Sequence, residues 1–153
     1  LYGFGMEVLA YDPFVKETPE GITLVSDLNE LLCRSDIVSL HCSLVDGTRK
    51  IINQERLAVM KSSALLINCA RGPLVDEAAL ISALQSGKLA GAGLDVTDPE
   101  PISPDSPLFQ MDNVIVTPHY APTTLEAAMR VSKIAAENIV SYLSGRAPVG
   151  RLI

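Results

Sequence analysis

Cysteine is scarce in this 153-residue chain, and the three present, Cys33, Cys42 and Cys69, are scattered. They are odd in number and form no CxxC pair. That argues against a disulfide framework and against a zinc site, and it suits a reducing, cytoplasmic compartment. Positive charge is also short: 12 Lys and Arg leave a net charge of -6. A nucleic-acid binder should show a basic stripe, and none is visible. No apolar run is long enough to span a bilayer. The opening residues LYGFGMEVLAYDP have neither the basic start nor the apolar core of a secretory signal, and they read like mid-domain sequence whose true start lies upstream. Partners among nucleic acids and membranes are therefore not expected, and no metal is implied. Small-molecule chemistry fits better.

What is present is an ordinary globular balance, 48% hydrophobic and 20% charged, in a length that favours one domain able to bury a real core. Short apolar runs alternate with amphipathic stretches. Strands are expected at 7–11, 22–25, 37–41, 64–68, 90–96 and 114–117. Ser26 is expected to cap a helix through Leu28, Leu31 and Leu32, and a short helix should cover 53–60. Asp76 should cap a helix through Ala79, Leu80, Ala83 and Leu84 that stops at Gly87. Residues 97–108 hold Pro99, Pro101, Pro104 and Pro107 and read as an irregular loop. Thr123 and Glu126 have capping-box spacing and should open a long helix ending near Gly145.

The strands are short and apolar without polar alternation, so burial on both faces is expected, as in a parallel sheet flanked by helices. Strand–helix alternation points to a doubly wound, Rossmann-type α/β fold. In such sheets the ligand sits beyond the carboxyl ends of the strands. Those ends carry Asp12, His41, the stretch from Asn68 to Arg71, the stretch from Asp95 to Thr97, and His119.

Asp12, in AYDP, can accept hydrogen bonds from the two ribose hydroxyls of NAD and repel the extra phosphate of NADP; read alone it is an Asp-Pro turn. The glycine fingerprint that accompanies such an acid should stand about 20 residues earlier, before Leu1. Gly3-Phe4-Gly5 does not replace it, because a strand rather than a helix follows; it reads as a loop. Arg71 follows a buried strand in NCARGPLVD, where a guanidinium can grip a carboxylate with two parallel bonds. Gly72 and Pro73 fix a tight turn there, which favours this role over a surface ion pair. Glu100, close to Asp95 and Asp98, belongs to a proline-broken acidic loop whose spacing matches no calcium site. His119 ends a strand in TPHYAPTT; a lone histidine there is more often structural. Together, Arg71, Glu100 and His119 can serve one reaction. A 2-oxo acid needs its carboxylate held, its carbonyl polarised and a proton delivered as hydride arrives. Arg71 serves the first two needs and His119 the third, with Glu100 favouring the imidazolium. His41 could contact a cofactor or simply hold structure. Cys69 has no evident base partner other than His119, so packing near a cofactor suits it better than nucleophilic work.

The stretches FGMEVLAYDP, SDIVSLHCSLVDGTRKIIN, LLINCARGPLVDEAALISALQSGKLAGAGLDVTDPEP and NVIVTPHYAPTT resemble the D-isomer-specific 2-hydroxyacid dehydrogenase family over nearly the whole chain. The resemblance implies an oxidoreductase moving hydride between NAD(H) and a small 2-hydroxy or 2-oxo acid, with Arg71, Glu100 and His119 as the catalytic set. It implies that Asp12 contacts the adenosine ribose and Asp95 the nicotinamide carboxamide. It places Cys42, Ser43, Thr48, Cys69 and Ala70 along the cofactor pocket, beside Arg71 and His119, and it implies a homodimer joined through the nucleotide domains. Residues 1–153 then form a partial NAD-binding domain. The family's first strand and GxGxxG loop are not among them, so the sheet should have a gap where that strand lies, and the pyrophosphate lacks its helix N-terminus. The substrate domain is expected outside these residues as well. Pro122 stands where the family usually has a small residue. Two rivals share the motifs: a non-catalytic, NAD-sensing scaffold of the corepressor type, and an inert truncated remnant.

Overall fold

The computed structural model describes residues 4–150, which fall into two compact units that divide between Pro118 and His119. The first unit holds strands β1 (Val8–Ala10), β2 (Ile22–Leu24), β3 (Ile37–Leu40), β4 (Leu65–Asn68), β5 (Gly91–Leu94) and β6 (Val114–Val116). Between them lie helices α1 (Leu28–Arg34), α2 (Gln54–Val59) and α3 (Glu77–Gln85). All strand pairings are parallel, which together with the interleaved helices makes the fold the Rossmann type that the alternation predicts.

The strands form two separate sheets, β1-β2 and β3-β4-β5-β6. This is the split expected where the middle strand of the doubly wound order is not among these residues. In the larger sheet the pairing brings Leu40, Asn68, Leu94 and Val116 into one line at the carboxyl edge.

One face of that sheet forms the core. Leu66, Leu32, Ile52, Leu57, Met60, Leu74, Leu80 and Leu89 are fully buried there, in a cluster drawn from the sheet, α1, α2 and α3. The opposite face departs from the expected two-sided burial: Ile37 is 47% exposed, Leu65 39% and Ile115 70%. The three helices of this unit contribute to the core on the other face, so these side chains have no helical layer from them. On β5 a side chain at Gly91 would press within 2.7 Å of the Asn113 carbonyl oxygen, which explains a glycine inside a buried strand.

The helix caps are partly as expected. Asn53 accepts the Arg56 N–H at the start of α2, and Asp76 accepts the Ala79 N–H at the start of α3. At α1 the cap is Asp27, whose carboxylate accepts the Asn29 N–H, and not the preceding Ser26. The loop over 97–108 is not wholly irregular, because Pro107–Gln110 forms a 3-10 turn. Proline is tolerated in a first helical turn, where its missing N–H would be unpaired anyway.

The second unit is built on one long helix, α4 (Leu125–Leu143). Its cap is Thr124, which accepts the Ala127 N–H, and not Thr123. Pro122 sits in the turn before it, closed by the Thr123 N–H donating to the Tyr120 carbonyl at 2.9 Å. After the helix, Asn138 clamps the returning chain: its Oδ1 accepts the Val149 N–H at 2.8 Å and its Nδ2 donates to the Val149 carbonyl at 3.1 Å.

Candidate functional site

One residue past the common carboxyl edge, the sheet presents His41, Cys69, Asp95 and Thr117 side by side, because their predecessors are register partners. Backbone bonds carry the ladder onward: the Asp95 N–H donates to the Asn68 carbonyl at 2.9 Å, and the Thr117 N–H donates to the Leu94 carbonyl at 2.9 Å. Asp95 is 5% exposed, and its Oδ1 accepts the Thr117 hydroxyl at 2.5 Å. A buried carboxylate oriented by a neighbouring hydroxyl is a suitable acceptor for an amide N–H. At the end of the row, the Ser39 hydroxyl and His41 Nε2 share a hydrogen bond of 2.9 Å.

Beyond Asn68 the chain turns sharply. Asn68 is 1% exposed, and both ends of its amide are engaged: Oδ1 accepts the Ala70 N–H at 3.1 Å, and Nδ2 donates to the Arg71 carbonyl at 3.0 Å. Arg71 is exposed in extended backbone, and its Nη1 donates to the Ala70 carbonyl at 2.6 Å. Gly72 and Pro73 start a 3-10 turn, the tight turn expected after the arginine. Gly72 is buried against the loop that follows β5. A Cβ there would lie 1.9 Å from the Thr97 carbonyl oxygen, so only glycine fits. The loop bearing Arg71 is thereby pressed against the loop bearing Glu100.

Glu100 is exposed, in a segment with cis bonds at Asp98-Pro99 and Glu100-Pro101, and the Thr97 hydroxyl donates to the Pro99 carbonyl at 2.9 Å. Behind this loop a cavity of about 10 Å³ is lined by Asn68, Gly72, Glu77, Thr97 and Asp98 among others. Partial burial pushes the Glu77 carboxyl above its usual range; the Asp98 N–H opposes that rise and the Asp98 charge adds to it.

Asp12 follows β1 in the two-stranded sheet, exposed, its Oδ1 accepting the Phe14 N–H at 2.9 Å. Phe4 and Gly5 form a turn before that strand, as the loop reading expects; Gly3 lies outside the described residues. Ser43, Val45 and Thr48 close a small loop after β3. The Thr48 hydroxyl donates to the Ser43 carbonyl at 2.7 Å and accepts the Val45 N–H at 2.9 Å. Thr48 thus shapes the loop that carries Cys42 and Ser43. Burial raises the Cys42 thiol above its usual range, with a backbone N–H opposing, which disfavours a thiolate there. His119 opens the second unit with φ of +58°. Few non-glycine residues adopt that left-handed backbone, and such strain concentrates at functional positions.

The sequence places Asn68 at a strand end without a role for it, and gives neither Gly72's contact with Thr97 nor Thr117. The signal for a role at Asn68 is a polar residue closing a buried apolar run.

The chain matches the family described as D-isomer specific 2-hydroxyacid dehydrogenase, NAD binding domain, over residues 1–121. It is 48% identical to a D-3-phosphoglycerate dehydrogenase of Methanocaldococcus jannaschii, over 93% of this chain and 28% of that protein. It is 44% identical to a glyoxylate reductase of Thermofilum pendens, over 97% of this chain and 44% of that one. The NAD-complexed D-isomer specific 2-hydroxyacid dehydrogenase of Lactobacillus delbrueckii ssp. bulgaricus superimposes with a TM-score of 0.89 at 36% identity, covering 99% of this chain and 50% of that one. The chain spans half or less of the length of these proteins. Its parallel sheets, its row of polar residues at the carboxyl edge and these matches agree: the chain belongs to the D-isomer-specific 2-hydroxyacid dehydrogenase family, within that family's NAD-binding domain.

Proposed function

We propose that the whole protein containing this chain reduces a small 2-oxo acid with NADH, or oxidises the corresponding D-2-hydroxy acid, and pairs as a homodimer through its nucleotide domains in the cytoplasm. Its substrate domain lies outside residues 1–153. The observation that carries the reading is the Asn68–Thr97 corner, where Arg71 leaves the carboxyl edge of the sheet on a clamped turn beside buried Asp95.

In this reading Arg71 holds the substrate carboxylate and polarises the adjacent carbonyl. His119 donates the proton to the carbonyl oxygen in reduction and removes it in oxidation, and Glu100 holds the imidazolium form. Asp12 accepts from the ribose hydroxyls, and its negative charge disfavours a phosphorylated ribose. Asp95 accepts from the carboxamide, while Cys42, Ser43, Thr48, Cys69 and Ala70 line the pocket. NAD(H), when bound, supplies the hydride. Three cysteines without a disulfide suit a reducing compartment.

The test is NADH consumption by the purified whole protein against a panel of 2-oxo acids that includes glyoxylate and hydroxypyruvate. Turnover of at least one acid is expected, with His119→Ala abolishing it while leaving NADH affinity nearly intact. Saturable NADH binding without turnover of any acid would replace the dehydrogenase by the sensing scaffold. Undiminished turnover by His119→Ala would remove the histidine from the chemistry.

A further inference from the structure

Asn68 stands at the last position of β4 on the core face of the sheet, where its neighbour two residues back, Leu66, is fully buried. A leucine would serve packing there as well. An amide does something else: it spends its acceptor on the Ala70 N–H and one donor on the Arg71 carbonyl, while the Asn68 backbone carbonyl receives the Asp95 N–H. Three peptide units around Arg71, two before it and the one after it, are thereby tied to the sheet and to the strand end that bears Asp95.

We infer that Asn68 is a positioning residue, whose two amide bonds set the backbone of Arg71 so that the guanidinium meets the substrate carboxylate squarely. The inference rests on the reading of Arg71 as the substrate-carboxylate ligand. The pattern required is one acceptor and one donor about 2 Å apart on a planar group, which a neutral carboxylic acid also offers and a carboxylate does not. The charged and titratable groups around this point are Arg71 and Asp95 on the adjoining chain ends, and Glu77 and Asp98 across the small cavity. Burial and the nearby acids favour protonation of a further carboxyl placed there and Arg71 opposes it, so an aspartate at 68 should titrate within an accessible pH range.

The experiment uses the whole protein with Asn68→Asp and Asn68→Ser, scored with whichever 2-oxo acid it turns over, with Arg71→Lys as control. Asn68→Asp should raise KM for the acid roughly tenfold at neutral pH, the scale of one lost hydrogen bond to the loop, with kcat and NADH affinity changed much less. Relative to the parent protein, that defect should shrink as the pH falls and the new carboxyl takes up its proton. Asn68→Ser, too short to reach both partners, should raise KM with no such recovery, and it serves if Asn68→Asp folds poorly. If either variant only lowers the melting temperature and leaves KM unchanged per folded enzyme, Asn68 is a core residue and the inference fails. Should Arg71→Lys leave KM unchanged as well, the fault lies deeper, in the assignment of Arg71.

Discussion

At the scale of single residues, the site depends on atoms that are missing as much as on those present. Gly72 has no Cβ, and the Thr97 carbonyl oxygen occupies the space that one would take, at 1.9 Å. Gly72→Ala must therefore displace backbone, not a flexible side chain, and should cost roughly 1–3 kcal/mol. Gly87→Ala makes a useful contrast. There φ is +70° and nothing lies within 4 Å, so the cost is backbone strain alone, about 1 kcal/mol. Denaturant unfolding of both variants measures the two costs. Kinetics separate them further, because only Gly72→Ala moves the corner that carries Arg71. Equal KM values for the 2-oxo acid in the two variants would uncouple that corner from substrate binding. None of this was legible in the sequence. The dipeptide Gly72-Pro73 announces a turn, but a contact with a residue 25 positions later, as Gly72 and Thr97 are numbered, exists only in the folded chain.

At the scale of elements, most of the fold was legible, because each of the six apolar runs read as strands does contain one. The run over 37–41 yields Ile37–Leu40 and the run over 64–68 yields Leu65–Asn68. The errors have local causes. Ser26 and Asp27 are adjacent capping residues, as are Thr123 and Thr124, and composition does not say which of two good acceptors meets the helix. Continuous apolar runs suggested burial on both faces, yet the alternation of exposed and buried residues along β3 shows that one face lacks a cover from this unit's helices. The cap of α3 was read correctly and can be tested. Asp76 accepts the Ala79 N–H and also pairs with Lys50 Nζ at 3.0 Å; hydrogen bonding to Lys50, then to the backbone, holds its carboxyl below the usual range. A carboxyl lowered in the folded state stabilises above its unfolded pKa, and that stabilisation is lost as the pH falls through the folded value. Asp76→Asn keeps a capping oxygen but loses the ion pair. It should cost about 0.5 kcal/mol at neutral pH, less in high salt, because the pair is largely exposed. The gap should close in acid. Thermal unfolding of parent and variant across pH reads it directly, and a difference that persists in acid would assign the loss to the cap instead.

At the scale of the whole molecule, the open face of the four-stranded sheet has the largest consequence. Ile37, Leu65 and Ile115 present apolar surface there, and the parallel sheets of doubly wound proteins are covered on both faces. The solved relative from Lactobacillus delbrueckii is about twice as long as this chain, and a whole protein of that length would have material enough for a second layer. The two settings give opposite signs for one substitution. In the 153-residue chain expressed alone, Ile115→Lys exchanges an exposed isoleucine for a charge, so it should reduce binding of a hydrophobic dye and reduce self-association. In the whole protein the same lysine would be forced beneath the covering layer, forfeiting roughly 2 kcal/mol of apolar burial and adding the cost of a desolvated ammonium. Stability there should fall by several kcal/mol, enough to lower expression. Dye fluorescence and sedimentation on the short chain, set beside denaturant unfolding of the whole protein, measure both signs. If Ile115→Lys is neutral in the whole protein, the face stays open in the native assembly, and the layered architecture inferred for it is wrong at this sheet.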